Sequence, residues 1–211
     1  MQPEPCPPAA EVRMIDESLK RLSVDDRAPG YVDALATTAF GLPSLRHWCV
    51  WIEPEPQPSD RWSQRWHRSV AAALTQWRNV VPVTLVEDPD RAQISVLRRR
   101  PPRRRTPNGW RASNGRSTLQ VVELHRAGDQ RREPLVEVMV SPELRAQVLE
   151  ATALHELGHA FGLWGHSDDP LDALAVHQGA EPVLVPTERD RLTLDWVRRQ
   201  PNRFGSLSSP P

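Results

Sequence analysis

The chain has 211 residues, of which 26% are charged, and its 27 Lys and Arg balance its 27 Asp and Glu. That length accommodates one domain of ordinary size with extensions and a buried core. The zero net charge removes any global pull toward nucleic acid or anionic membranes, and no run of about 18 apolar residues exists to cross a bilayer. The start, Met1-Gln2-Pro3-Glu4-Pro5, has neither the basic nor the apolar region of a signal peptide. The expectation is a monomer without membrane attachment, cytoplasmic as written.

Residues 1–10 are proline-rich and are expected to be disordered. Val12, Met14, Ile15, Leu19 and Leu22, with charges between them, suggest at most a short amphipathic helix over 11–24. Residues 1–40 therefore read as an N-terminal extension and a candidate pro-segment, 41–204 as the folded domain, and 205–211 as a flexible tail. Two cysteines, Cys6 and Cys49, are too few for a disulfide framework, and Cys49 reads as an ordinary buried thiol.

His47 to Ile52 is aromatic and β-branched, the pattern of a first strand, and Pro54 to Pro58 ends it. From Ser59 or Asp60 as cap, Trp62, Trp66, Val70, Ala73, Leu74 and Trp77 recur at helical spacing, and the tryptophan stripe reads as core. Strands follow over 81–86 and 92–97, so a strand-helix-strand order predicts a right-handed parallel crossover. Two further strands, 119–124 and 135–140, bring the expected sheet to five. Ser141 is the expected cap of the next helix, with Pro142 and Glu143 in its first turn, and that helix should run to about Gly162. Thr187 and Asp190 have the spacing of a capping box for a last helix through Val197. The class is α+β with a mixed sheet.

Between the third and fourth strands lies an Arg/Pro-rich loop, 98–116, containing Arg98-Arg99-Arg100-Pro101-Pro102-Arg103-Arg104-Arg105. Its plain reading is a solvated, proline-stiffened loop. Its sharper readings are a phosphate-contacting arm on nucleic acid or a recognition element for acidic peptide.

Chemistry concentrates at His155-Glu156-Leu157-Gly158-His159 and the residues up to His166. Spaced one turn apart, His155 and His159 share a helix face and can address one ion. Catalytic zinc takes three protein ligands, so the chain must turn back; Gly162 and Gly165 permit the turn, and His166 is the candidate third ligand. Glu156 is the candidate general base for water activated by Zn2+. A core histidine satisfied by hydrogen bonds explains one such residue; three histidines and a glutamate in an apolar helix would be costly to bury without a partner.

In these residues the chain resembles the metzincin metalloproteases, and within them the matrixins of bacterial type. The resemblance covers mainly 150–178 and rests on the pattern HExxHxxGxxH followed by Ser167 and Pro170. It implies a zincin-like domain, a zinc metalloendopeptidase activity, a peptide or protein substrate, and Zn2+ on His155, His159 and His166. The chain departs from the pattern in having one extra residue before His166. It also carries Leu174 and Ala175 where the family has a methionine and a tyrosine. Matrixin proenzymes are held by a cysteine on the metal, a role Cys6 is a weak candidate for. The resemblance further implies that extended substrate pairs with the edge strand 119–124. Three alternatives stand beside this reading. One is a cytosolic, DNA-associated protease using the arginine loop, and another is a non-catalytic metal-binding protein. The third is a gluzincin arrangement, in which Glu188 replaces His166 as ligand.

Overall fold

The computed structural model describes residues 6, 8, 11–24, 28–107, 109–126, 129–177 and 179–206. Its strands, in chain order, are β1 (Glu11–Ile15), β2 (Lys20–Arg21), β3 (Ala36–Thr37), β4 (Trp48–Ile52), β5 (Val83–Leu85), β6 (Ile94–Leu97), β7 (Arg104–Thr106), β8 (Gly109–Arg111), β9 (Gly115–Arg126) and β10 (Asp129–Val140). Three α-helices accompany them: α1 (Arg61–Arg78), α2 (Ala146–Ala160) and α3 (Glu188–Arg199). The architecture is α+β, with a mixed six-stranded sheet in the order β1-β9-β10-β6-β4-β5.

The Asp60 carboxylate starts α1 by accepting hydrogen bonds from the backbone N–H of Trp62 and Ser63, both at 2.8 Å. Trp66 and Trp77 are fully buried, as the helical spacing predicts. Trp62 is not core: it is 46% exposed, and the guanidiniums of Arg61 and Arg65 lie 5.0 and 4.3 Å from its ring. The other two tryptophans fix the layers through their ring N–H groups. Trp66 donates to the Val140 carbonyl at the end of β10, and Trp77 to the Leu154 carbonyl inside α2. Helix α2 is thereby clamped between α1 and the sheet, and Phe161 just beyond it meets Trp48 and Trp77 at ring distances of 6.0 and 6.2 Å.

Strands β5, β4, β6 and β10 are mutually parallel, with α1 forming the connection from β4 to β5. β9 pairs antiparallel with β10 along all twelve residues, Gly115 opposite Val140 and Arg126 opposite Asp129.

Several expectations are corrected here. The sheet has six strands rather than five, because residues 11–15 form β1, antiparallel on β9 from Glu11 opposite His125 to Ile15 opposite Val121. No α-helix forms among the described residues of 11–24. The open backbone edge of β9 offers a ladder of hydrogen-bond partners, and that tertiary pairing overrides a weak helical pattern. Ser141 does not cap α2. Its hydroxyl bonds the Glu143 carboxylate, which also pairs with Arg100 at 2.7 Å, so 141–144 form a turn and the helix starts after Arg145. Cys49 is not a free thiol but is joined to Cys6 in a disulfide. The expected tail lies largely outside the described residues, as do 1–5 of the expected extension. Within that extension, by contrast, Tyr31, Val32 and Leu35 are buried in the core.

Candidate metal centre

Helix α2 is apolar on nearly every side. Leu149, Ala151, Ala153, Leu154 and Leu157 are all buried, so its polar side chains must be satisfied from within the protein. The helix ends where Gly162 takes φ +119°, a conformation that residues with a Cβ rarely adopt. The chain then doubles back. The Trp164 carbonyl accepts from Ala36 N–H at 2.7 Å, and Gly165 passes so close to the 32–34 turn that a Cβ there would stand 2.3 Å from the Ala34 oxygen. Gly165, just before His166, is accommodated by this docking on the N-terminal segment. The His166 ring arrives 4.8 Å from the ring of His159 and 5.2 Å from that of His155.

The ligand atoms of His155, His159 and His166 all lie within 4.8 Å of one another. The hydrogen bonds of the two helical histidines define their tautomers. His155 Nδ1 lies 2.9 Å from the Ala173 carbonyl, and His159 Nδ1 lies 2.6 Å from the Leu163 carbonyl. A carbonyl can only accept, so each Nδ1 carries a proton and each Nε2 presents a lone pair. Those two Nε2 atoms stand 3.1 Å apart. A proton bridging them would require an imidazolium, and burial opposes that by lowering the His155 pKa to about 4 and the His159 pKa well below its usual value. Two convergent lone pairs with no proton between them are a donor set that could hold a cation. Trp164, stacked on the His159 ring at 5.8 Å, adds a second restraint on its orientation.

Beneath the histidines runs the turn 167–176. Ser167 N–H donates to the Leu174 carbonyl and Val176 N–H to the Ser167 carbonyl. Leu174 is fully buried under α2, where a Cβ added to Gly158 would stand 2.5 Å from Leu174 Cδ2. A buried polar group holds the turn in place. Asp172 accepts from the hydroxyls of Ser167 and Thr187, and Thr187 also forms the expected capping box with Asp190. Asp190 in turn accepts from Ala173 N–H at 2.9 Å and from the Tyr31 hydroxyl at 2.6 Å. Leu174→Met should cost less than about 1.5 kcal/mol, being nearly volume-conserving. Leu174→Asp places an unpaired charge under the helix and should cost on the order of 4 kcal/mol or more. Urea titration of both variants checks this; an aspartate variant with the wild-type midpoint would mean that residue 174 does not support α2.

Glu156 opens onto a cleft of about 710 Å³ together with the three histidines. Burial raises its pKa to about 7 in the metal-free protein, against the opposing pull of hydrogen bonds from Ser117 and the charges of Arg116 and Arg104. Ser117 Oγ lies 2.8 Å from both the Glu156 carboxylate and the Glu156 main-chain carbonyl, and its single proton serves one of them at a time. Gly115 is needed beside it: a Cβ there would stand 2.6 Å from Glu156 Cγ. Neither Ser117 nor Gly115 is among the sequence-predicted site residues. Only the Asn114-Gly115 step at the start of a strand hints that backbone must approach something closely.

Other candidates lie elsewhere. Glu188 is exposed at the first turn of α3 and outside the histidine cluster. Cys6, in its disulfide, has no thiolate to offer a metal, and neither does Cys49 in the second cluster of potential ligands, Cys6, His47 and Cys49. Residues 121–124 of the expected substrate edge are covered by β1, which leaves 115–120 of β9 without a strand on that side among the described residues. Arg104, Arg111 and Arg116 line the cleft, so the arginine-rich segment is not simply a solvated loop. No helix among the described residues is long and apolar enough to cross a membrane. No protein-family model and no curated protein matches the sequence.

Proposed function

We propose that the chain is a zinc-dependent endopeptidase of metzincin kind, matrixin-like in its ligand pattern. The observation that carries this reading is the pair of Nε2 lone pairs 3.1 Å apart, with His166 beside them and Glu156 on the same cleft. The donor set suits zinc, since three neutral imidazoles leave a fourth position open, and ligand atoms of a tetrahedral site with Zn–N of about 2.0–2.1 Å stand roughly 3.3 Å apart. Bound zinc supplies Lewis acidity toward water and a peptide carbonyl.

The remaining work falls to the chain. The free edge of β9, 115–120, offers backbone N–H and C=O groups to an extended peptide and sets its scissile carbonyl beside the histidines. Glu156 takes a proton from water as the water oxygen bonds to the carbonyl carbon. It passes that proton to the amine nitrogen as the C–N bond breaks. Ser117 and Gly115 hold the carboxylate at its place in the cleft. Tyr31 takes no part, because its hydroxyl is committed to Asp190.

Removal of metal with 1,10-phenanthroline should abolish cleavage of unfolded casein, and added zinc should restore it. Cleavage that continues at the same rate in metal-free protein, verified by elemental analysis, would overturn this reading.

A further inference from the structure

The arginine-rich segment divides into parts with different surroundings. Arg98 is tied to the body of the domain through Ser63 Oγ at 2.7 Å, and Arg100 through Glu143 at 2.7 Å. Beyond Pro102 the chain forms the β7–β8 ribbon, in which Arg104 stands opposite Arg111 and Arg105 opposite Trp110. Directly opposed residues share a ribbon face, so alternation gives the ribbon two distinct sides. All four residues are exposed, but only Arg104 and Arg111 border the histidine cleft, while Arg105 and Trp110 lie on the other side.

Like charges directly opposed on a two-stranded ribbon repel, and such pairs persist where something offsets the repulsion. Neither Arg104 nor Arg111 has a carboxylate partner among the described residues. Arg116, half-buried on β9 beside Ser117, adds a third guanidinium, anchored by a 2.6 Å bond to the Pro102 carbonyl. Among the described residues, Glu156 is the one carboxylate that lines the cleft. The base of the proposed reaction thus shares its cleft with three guanidiniums and, among the described residues, with no second carboxylate.

We propose that this cleft selects peptides with anionic side chains, carboxylate or phosphate, beside the scissile bond, and that Arg104 and Arg111 are the specificity-determining residues. The inference rests on the peptidase reading and adds the substrate class to it. Guanidinium forks match carboxylate and phosphate oxygens in pairs, and a substrate anion between Arg104 and Arg111 removes their mutual repulsion on binding. Nucleic acid is disfavoured by placement: a phosphate backbone needs an extended track of cations, and these two arginines, though exposed, border the same cleft as the proposed catalytic residues.

The test uses zinc-loaded protein and matched peptides that differ only in the residues flanking one cleavable bond: glutamate, phosphoserine, glutamine or lysine. Wild type should cleave the glutamate or phosphoserine peptide with kcat/KM at least tenfold above the glutamine peptide, and the lysine peptide slowest; the first two arms tell carboxylate from phosphate. In Arg104→Gln/Arg111→Gln the anionic-to-neutral ratio should fall to near one, and in Arg104→Lys/Arg111→Lys it should be partly retained. Equal cleavage of all four by wild type would overturn the proposal and leave the peptidase reading standing. Cleavage of none would remove the peptidase reading. Fluorescence anisotropy then decides the selectivity separately, on Glu156→Gln protein that binds without cutting: the glutamate peptide should bind at least tenfold tighter than the glutamine peptide, and less so in the double Gln variant. Equal binding of the two peptides would overturn it, as would duplex DNA displacing the glutamate peptide more effectively than an oligoglutamate competitor.

Discussion

If the chain is the zinc peptidase proposed, Glu156→Gln should lower the rate of casein hydrolysis by a factor on the order of a hundred or more and leave zinc content unchanged. A hundredfold corresponds to about 2.7 kcal/mol of transition-state stabilisation, an ordinary magnitude for a positioned general base. The substitution is nearly isosteric, so it leaves undisturbed the close packing of Glu156 against Gly115, where even an added Cβ would stand 2.6 Å from Glu156 Cγ. An amide oxygen still accepts from Ser117 Oγ, so the side chain keeps its place in the cleft while losing the ability to take a proton. Ser117→Ala, which removes that restraint but not the base, should have the smaller effect. A Glu156→Gln protein that digests casein at the wild-type rate, with zinc bound, would remove Glu156 from the mechanism.

On the same reading, His166→Ala should lose most of its zinc and its activity, whereas Glu188→Ala should keep both. Two histidines on one helix supply half of a tetrahedral site, and apparent affinity falls steeply when the third ligand is deleted. His166 lies with its ring 4.8 Å from that of His159, and Glu188 lies outside the cluster at the capped start of α3. A carboxylate is favourable there through the helix dipole alone. Elemental analysis of both purified variants, with circular dichroism to check their folding, gives the comparison. Zinc retained in His166→Ala and lost in Glu188→Ala would exchange the two ligands and leave the roles of His155 and His159 intact.

The motif at 155–166 was legible because its information is local. One helical turn sets the distance between His155 and His159, and a glycine at positive φ is a property of a single residue, so both appear in the letters themselves. The tryptophan helix and the Thr187–Asp190 capping box were legible for the same reason. Trp62 was misread with its neighbours because periodicity assigns a face and not a depth, and the first turn of α1 projects beyond the layer that buries Trp66 and Trp77.

What failed to show in the sequence depends on partners distant along the chain. The segment 11–15 becomes a strand only because β9 offers it an edge, more than a hundred residues later. Cys6 and Cys49 become a disulfide only because the fold brings their Cα atoms to 5.9 Å. Ser117 and Gly115 acquire their relation to Glu156 across 39 and 41 positions, through the packing of α2 on β9.

The sequence by itself thus determined the α+β class and a donor set for a cation, since helical spacing, β-branched runs and turn glycines act within a few residues. The tertiary structure alone decided what surrounds those donors: the carbonyls of Leu163 and Ala173 that define two tautomers, the Ala34 backbone that seats the His166 loop, and the arginines that share a cleft with Glu156. Each of these is a contact between segments brought together by burial of a shared core. Burial is a collective property of the folded chain, and no short stretch of residues carries it alone.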